Sequence, residues 1–114
     1  MADTLIIIPA FNEEAGIAQV VRGIRTAHPE LEILVINDGS ADRTAEVAAA
    51  AGAIVLSHNF NMGYGVTIQT GYKFAYEKGY RYIVQIDGDG QHDPSFISQL
   101  LEPVRNGEVD FTLG

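Results

Sequence analysis

Cysteine and tryptophan are absent from this chain of 114 residues. Without cysteine there are no disulfides and no thiolate metal sites, so redox chemistry says nothing about the compartment. Basic side chains are also scarce, because seven Lys and Arg stand against 15 Asp and Glu and give a net charge of −8. That balance argues against nucleic acid, or an anionic membrane surface, as the main partner.

Long hydrophobic runs are missing as well. The first apolar run covers only residues 5–8, far too few to cross a bilayer, and no basic segment precedes it. Hydrophobic residues make up 46% of the chain and charged residues 19%, which is typical of a soluble globular protein. We therefore expect residues 1–114 to form a single domain located in the cytoplasm.

Short apolar runs alternate with helical patterns along the whole chain. Apolar runs predict strands, and apolar side chains at a spacing of 3.6 residues predict helices. The predicted strands cover residues 4–9, 32–37, 53–56, 82–86 and 110–113. The predicted helices cover residues 14–27, 43–51, 66–79 and 94–107. Strands that alternate with crossover helices form right-handed βαβ units, so we expect an α/β fold with a mostly parallel sheet.

The ends and faces of the predicted helices can also be assigned. Asn12 is expected to cap the first helix, with Glu13 in the first turn, where the helix dipole favours negative charge. Ser40 or Asp42 is expected to cap the second helix. The buried face of the third helix is expected to carry Ile68, Tyr72, Ala75 and Tyr76.

An acidic loop follows the fourth predicted strand. Asp87 and Asp89 stand one residue apart there, and Asp93 lies close behind them. Carboxylate oxygens on a glycine-containing loop suit hard cations such as Mg²⁺ or Mn²⁺, which would also relieve the repulsion between these charges. The end of a parallel strand is where open α/β sheets bind their ligands. The loop therefore predicts a metal-bridged phosphate and an enzyme that acts on phosphorylated substrates.

Several other phosphate and metal motifs are absent. No G-x-G-x-x-G follows the first strand, and Gly63-Tyr64-Gly65 lacks the third glycine of a dinucleotide site. No P-loop, H-E-x-x-H zinc motif or G-x-S-x-G elbow occurs. An EF-hand would need Gly at His92 and Glu at Ser98. These absences weigh against the corresponding enzyme classes.

Four segments remain, and each follows a predicted strand. They are P-A-F-N-E at residues 9–13, N-D-G-S at 37–40, N-M-G-Y-G at 61–65 with Gly71 further on, and D-G-D-G-Q-H-D-P at 87–94. In a sheet of order 3-2-1-4 they would converge on one edge. Together they resemble family 2 glycosyltransferases of the GT-A fold. The last segment is most similar to polyprenyl-phosphate sugar transferases such as the dolichyl-phosphate mannosyltransferases.

The resemblance covers nearly the whole chain and implies a three-layer, Rossmann-like GT-A fold, truncated after about the fifth strand. It also implies roles for individual residues. The nucleotide-sugar site would contain Pro9, Ala10, Phe11, Glu13, Asp38, Asp87, Gly88 and Asp89. Among these, Asp38 corresponds to the residue that hydrogen-bonds the base. The ligands of Mg²⁺ or Mn²⁺ would be Asp87, Asp89 and Gln91.

The activity implied is metal-dependent transfer of a sugar, with inversion, from a UDP-, GDP- or dTDP-sugar. The acceptor would be a lipid phosphate such as polyprenyl phosphate, or a glycan, in cell-envelope glycan biosynthesis. Such enzymes act at the cytoplasmic membrane face or in longer membrane-anchored chains. The catalytic base and acceptor site are expected beyond Gly114, so the isolated chain is expected to bind donor and to be inactive. The chain also departs from the family pattern at Asn37, where an aspartate is usual.

Other interpretations stay open at this point. A non-catalytic nucleotide-binding module would also explain the missing acceptor half. A nucleotidyltransferase is less favoured, because the segment after the first strand has neither glycine nor a basic residue. Finally, residues 110–113 would leave an open sheet edge, so a homodimer formed by strand pairing is possible.

Overall fold

The computed structural model describes residues 4–86 and the backbone of residues 111–113. The predicted helix at residues 94–107 and the acidic loop therefore lie outside the described residues. The elements, in chain order, are β1 Thr4–Ala10, α1 Ile17–Ala27, β2 Glu32–Asp38, α2 Thr44–Ala50, β3 Ile54–His58, α3 Tyr64–Lys78, β4 Tyr82–Gln85 and β5 Phe111–Leu113. None of the described helices is long and apolar enough to cross a membrane.

The strands form one sheet with the order β3-β2-β1-β4-β5, and each neighbouring pair is parallel. This confirms the predicted α/β fold and the predicted strand order. Because the strands are parallel, their carboxyl ends meet at one edge. At that edge Ala10 lies opposite Asn37, and Asp38 lies opposite His58. β5 is the outermost strand, and its pairing with a second copy remains a prediction.

The central strand β1 is buried on both faces. Ile6 and Ile8 face α1 and α2, while Leu5 and Ile7 face α3, and all four side chains are fully buried. Full burial of such a side chain contributes about 1.5–3 kcal/mol. A strand that is covered on both faces appears in the sequence as a continuous apolar run, and for this reason residues 5–8 correctly predicted β1.

Helix α3 packs through small side chains, which corrects the predicted face. Its buried residues are Thr67, Gly71 and Ala75, whereas Tyr76 is 87% exposed. A Cβ atom added at Gly71 would lie 3.1 Å from the Cδ1 atoms of both Ile36 and Ile7. The helix approaches the sheet most closely along the line of these small residues, while Tyr72 and Phe74 pack half-buried against the same core. Tyr72 and Ala75 of the predicted face therefore do contact the core. The prediction that Tyr76 is buried was therefore wrong.

The start of α1 also differs from the prediction. The helix begins at Ile17, its N-cap is Gly16 without a side-chain hydrogen bond, and its first turn has no acidic residue. Asn12 as a cap, with Glu13 in the first turn, was wrong because both residues are hydrogen-bonded to residues between Ser40 and Thr44. The predicted cap of α2 was also wrong, since its N-cap is Arg43, without a side-chain hydrogen bond. The Asp42 carboxylate instead accepts a hydrogen bond from Thr44 N at 3.0 Å.

Candidate functional site at the carboxyl edge of the sheet

The loops after β1 and β2 are joined at Asn12. Its backbone N–H donates to Ser40 Oγ at 2.9 Å, and its side-chain Oδ1 accepts from Ala41 N at 2.8 Å. Asn12 holds this position with a φ of +54°, in the left-handed region that Asn tolerates better than most residues. The two bonds run in opposite directions, so they fix both the spacing and the register of the loops.

Two further bonds join the same loops beside Asp42. Glu13 N donates to Thr44 Oγ1 at 2.8 Å, and Glu14 N donates to Asp42 Oδ2 at 3.2 Å. The Thr44 hydroxyl also donates to Asp42 Oδ1. The bond from the Thr44 hydroxyl and those from backbone N–H groups hold the pKa of Asp42 below its usual value. Three successive backbone N–H groups after Phe11 are therefore bonded to side chains of the second loop.

The predicted nucleoside residues lie at this edge with different exposures. Ala10 is buried at the end of β1, whereas Phe11 is 46% exposed. Pro9 and Glu13 are half-buried. The sheet thus brings Pro9, Ala10 and Phe11 next to the end of β2, where Asp38 stands.

Asn37, the departure from the usual family pattern, joins the end of β2 to its surroundings. Its side-chain oxygen accepts from Ser40 N, and its amide nitrogen donates to Ser57 Oγ, both at 3.2 Å. An aspartate would keep the first bond, and it would keep the second only with its direction reversed, with the Ser57 hydroxyl as the donor. Asn37 therefore bonds both to the loop after β2 and to the neighbouring strand β3.

Asp38 is a buried carboxylate, with only 4% of the residue exposed. Its Oδ1 accepts from Met62 N at 2.8 Å and from His58 Nδ1 at 2.7 Å, and its Oδ2 accepts from Gly63 N at 3.0 Å. Burial by itself raises the pKa of the Asp38 carboxyl. Together the hydrogen bonds from His58, Met62 and Gly63 outweigh burial and hold the pKa below its usual value. Asp38 is therefore ionised at neutral pH and binds the segment that follows β3.

His58 lies between Asp38 and α3. Its Nε2 is 2.9 Å from Thr70 Oγ1, and that hydroxyl is also bonded to Val66 O at 3.0 Å. Because a carboxylate only accepts hydrogen bonds, Nδ1 carries a hydrogen toward Asp38. The imidazole ring is thus fixed on both sides, as expected of a structural rather than a solvated histidine.

The segment between β3 and α3 crosses the end of β2 and reaches β4. A Cβ atom added at Gly39 would clash with backbone atoms of Phe60 and Asn61, so the segment passes directly over that glycine. Gly63 has a φ of +97° and precedes α3. Next, the Tyr64 hydroxyl accepts a hydrogen bond from the Gln85 side chain at the end of β4. The segment therefore connects the ends of β2 and β4 on the α3 side of the sheet. Of the two glycines in the N-M-G-Y-G segment, Gly63 has the positive φ, whereas Gly65 lies in the first turn of α3 with nothing within 4 Å of an added Cβ atom.

The diphosphate half of the predicted site lies outside the described residues. It comprises Asp87, Gly88, Asp89 and Gln91. Within residues 4–86 no group of three or more His, Asp and Glu residues could hold a metal ion. Ile86, the last residue before the acidic loop, donates from its backbone N to Ile7 O at 3.0 Å. Pairing with β1 therefore continues up to the residue before Asp87.

Some residues of this edge were not predicted from sequence. Thr44 and Thr70 gave no signal, since a threonine in a helix has no distinctive spacing. His58 did have one, because it follows Leu56 by two residues on β3 and therefore shares its face. That alternation places it beside Asp38 once the strands pair.

Comparison with known proteins identifies the family. The sequence model of the family described as "Glycosyl transferase family 2" matches residues 5–114 of this chain. UDP-N-acetylglucosamine–dolichyl-phosphate N-acetylglucosaminyltransferase of Methanococcus voltae is 34% identical, across 100% of this chain and 53% of its own length. Polyprenol monophosphomannose synthase of Mycolicibacterium smegmatis is 32% identical, across 97% of this chain and 44% of its own length. The chain thus spans about half the length of the curated relatives it matches.

A solved structure supports the same assignment. Glucosyl-3-phosphoglycerate synthase from Mycobacterium tuberculosis, in complex with Mn²⁺, UDP-glucose and phosphoglyceric acid, superposes with a TM-score of 0.75 and 28% identity. The match covers 92% of this chain and 40% of that one. The same enzyme has also been solved with Mg²⁺ and UDP. With its parallel sheet and its loops at the carboxyl edge, the present chain belongs to the family 2 glycosyltransferases and has the GT-A fold.

Proposed function

We propose that this chain is the donor-binding part of a metal-dependent, inverting glycosyltransferase that transfers a sugar from a nucleotide-diphospho-sugar to a polyprenyl phosphate. The observation that carries the proposal is the convergence of β1, β2 and β4 at one edge of the sheet. The ends of these strands bear the three segments that the family resemblance assigns to the donor. Relatives named as polyprenyl-phosphate sugar transferases support the choice of acceptor.

The donor would lie along this edge. Its nucleoside would contact the end of β1 and the loop that follows, which carry Pro9, Ala10, Phe11 and Glu13, with Asp38 at the neighbouring strand end. Its diphosphate would meet Asp87, Gly88 and Asp89, which follow β4. This order matches the order of the strands, because β1 lies between β2 and β4.

A divalent cation completes the proposed site. Carboxylate and amide oxygens suit Mg²⁺ or Mn²⁺, and Asp87, Asp89 and Gln91 are the proposed ligands. No alternative cluster is found within residues 4–86, and we assign the ion to the acidic loop because of its closely spaced carboxylates. When bound, the ion would stabilise the charge that develops on the departing diphosphate.

The acceptor chemistry follows from the phosphate group. A polyprenyl phosphate is already an anion at neutral pH, so its oxygen needs little help from a general base. Attack on C1 of the sugar from the face opposite the diphosphate forms a new C1–O bond as the old one breaks. The displaced diphosphate leaves with the bonding electron pair, and the anomeric configuration is inverted.

A second acceptor class is favoured by one observation. The structural neighbour was solved with phosphoglyceric acid, which makes a small phosphorylated acid the rival to a lipid phosphate. Both classes present an anion to the same edge of the sheet. They differ in size and in hydrophobicity, so a transfer assay separates them.

The test is a transfer assay on the natural polypeptide that carries this sequence. Radiolabelled UDP-glucose, UDP-N-acetylglucosamine and GDP-mannose are each offered undecaprenyl phosphate or phosphoglyceric acid, with Mn²⁺ or with EDTA. We expect label in the lipid fraction with one donor, only with Mn²⁺, and a product of inverted anomeric configuration by NMR. Label on phosphoglycerate would support the rival acceptor. Donor binding without any transfer would support a non-catalytic nucleotide-binding module.

A further inference from the structure

The buried carboxylate of Asp38 has little capacity left for a ligand. A carboxylate offers about four acceptor positions, and three are taken by His58 and by the backbone N–H groups of Met62 and Gly63. With 4% of the residue exposed, almost none of it faces outward. A nucleotide base could reach this group only by displacing a bond that holds the segment after β3.

The contacts of His58 extend this arrangement to α3. The ring joins Asp38 to the Thr70 hydroxyl, over 2.7 Å on one side and 2.9 Å on the other. Thr70 belongs to the second turn of α3 and is itself bonded to Val66 O. The side chain of His58 is only 16% exposed, so this connection is shielded from water and is stronger than a surface contact.

The segment held in this way forms one side of the proposed donor site. Residues 59–64 run from the end of β3 over Gly39 to the contact between Tyr64 and Gln85. They therefore lie over the end of β2 and reach the end of β4 through the Tyr64 side chain, and the proposed nucleotide and diphosphate contacts follow these two strands. A shift of Gly63 or Tyr64 would change the shape of that edge.

We propose that Asp38, His58 and Thr70 are positioning residues, which hold residues 59–64 in the conformation that the nucleotide-sugar site requires. This inference rests on the proposed function. It assigns to Asp38 an indirect role, in which the carboxylate shapes the donor site through the residues that it binds. It also makes a specific claim about Thr70, to which the family resemblance assigns no role. The hydroxyl of Thr70 should matter for donor affinity, whereas its methyl group should not.

The test compares matched variants of the natural polypeptide. Thr70→Val keeps the shape of the side chain and removes the hydroxyl, Thr70→Ser restores the hydroxyl, and His58→Gln breaks the connection at its centre. Thr26→Val makes the same change at an exposed position of α1 and serves as the control. For each, the dissociation constant is measured for whichever of UDP, GDP, dTDP and CDP binds the wild type with Mn²⁺. Amide hydrogen exchange is followed in residues 59–64 and in β1.

We expect Thr70→Val and His58→Gln to weaken nucleotide binding by about tenfold, the loss expected when one hydrogen bond is removed. In these two variants, amide hydrogen exchange should accelerate in residues 59–64 and stay slow in β1. The dissociation constants of Thr70→Ser and Thr26→Val should stay within about twofold of the wild-type value. Unchanged affinity in Thr70→Val and His58→Gln would overturn the inference alone. Failure of the wild type to bind any nucleotide with Mn²⁺ would overturn the proposed function, and the inference with it.

Discussion

Two regions at the carboxyl edge of the sheet are held in place by different means. On the side of α1 and α2, the loops after β1 and β2 are joined by hydrogen bonds between exposed or half-exposed groups around Asn12 and Asp42. On the side of α3, residues 59–64 are held by one buried carboxylate, Asp38. Water can replace the first kind of bond when it breaks, but not the second. A single hydrogen bond should therefore contribute more to stability in the second region than in the first.

The largest expected effect comes from removing the buried carboxylate. Asp38→Ala leaves His58 Nδ1 and the N–H groups of Met62 and Gly63 without their acceptor, so we expect a loss of about 3 kcal/mol in the free energy of unfolding. The measurement is equilibrium urea denaturation. Glu46→Ala, an exposed acidic residue of α2, is the control and should change stability by less than about 0.5 kcal/mol. A loss below about 1 kcal/mol in Asp38→Ala would contradict the role given to this residue.

A second variant forces residues 59–64 away from β2. Gly39→Ala adds a methyl group that clashes with the backbone of Phe60 and Asn61, at a φ of +71°. Gly63→Ala adds the same group at a φ of +97°, with nothing within 4 Å. Both variants carry the strain of a left-handed residue, about 1–2 kcal/mol, and only Gly39→Ala also carries the clash. We expect Gly39→Ala to be less stable than Gly63→Ala by about 1 kcal/mol in the same urea experiment. Equal losses would mean that the segment does not pass over Gly39.

A smaller effect is expected in the exposed region. Asn12→Ala removes the bond to Ala41 N and leaves a non-glycine residue at a φ of +54°. We expect a loss of about 1 kcal/mol, since the freed N–H group can bind water. Asn12→Gly removes the same bond but has no conformational penalty, so its free energy of unfolding should fall by less than that of Asn12→Ala. If Asn12→Ala cost as much as Asp38→Ala, the contrast between the two regions would be wrong.

The smallest effect is a difference in pH dependence. The pKa values of Asp38 and Asp42 both lie below the usual value of 3.8. A carboxyl with a lowered pKa in the folded state stabilises the protein above its unfolded pKa, and this stabilisation is lost as the pH falls through the folded pKa. Wild type should therefore lose stability below pH 3.8. Asp38→Asn should flatten that loss more than Asp42→Asn, because Asp42 is only half-buried and is better screened by solvent. Urea midpoints measured between about pH 5 and about pH 2, where carboxyls with a lowered pKa titrate, will check this, and equal slopes in the two variants would contradict it.

The fold could be predicted because its strongest signals are local. The run at residues 5–8, the strand-end segments and Gly79, which ends α3 in a left-handed conformation, depend on short stretches of sequence. The cap of α1 could not be predicted in the same way. Asn12 has the chemistry of a cap, but its oxygen is taken by Ala41, 29 residues away in the chain. The competing partner exists only after the sheet has formed.

The same reason explains the error on α3 and the partial account of the site. Tyr76 was assigned to the core because it shares a helical face with Tyr72 and Ala75, whereas the residues of α3 that are fully buried are Thr67, Gly71 and Ala75. Asp38 was recognised from the N-D-G-S segment by family resemblance. Its bonds to Met62 and Gly63 depend on a crossing of the chain that no local pattern encodes. Side-chain types and strand ends were predictable, but the partners of buried polar groups were not.

The most direct test of the central claim is nucleotide binding with and without metal. The natural polypeptide and its Asp89→Ala variant are each titrated with UDP, GDP, dTDP and CDP, in Mn²⁺ and in EDTA, and thermal stability is recorded. The account predicts that one nucleotide binds the wild type only with Mn²⁺ and adds about 2.7 kcal/mol at 100 times its dissociation constant. It also predicts that Asp89→Ala abolishes this stabilisation. Binding that is equally strong in EDTA, or no binding of any nucleotide, would contradict a metal-dependent donor site at this edge of the sheet.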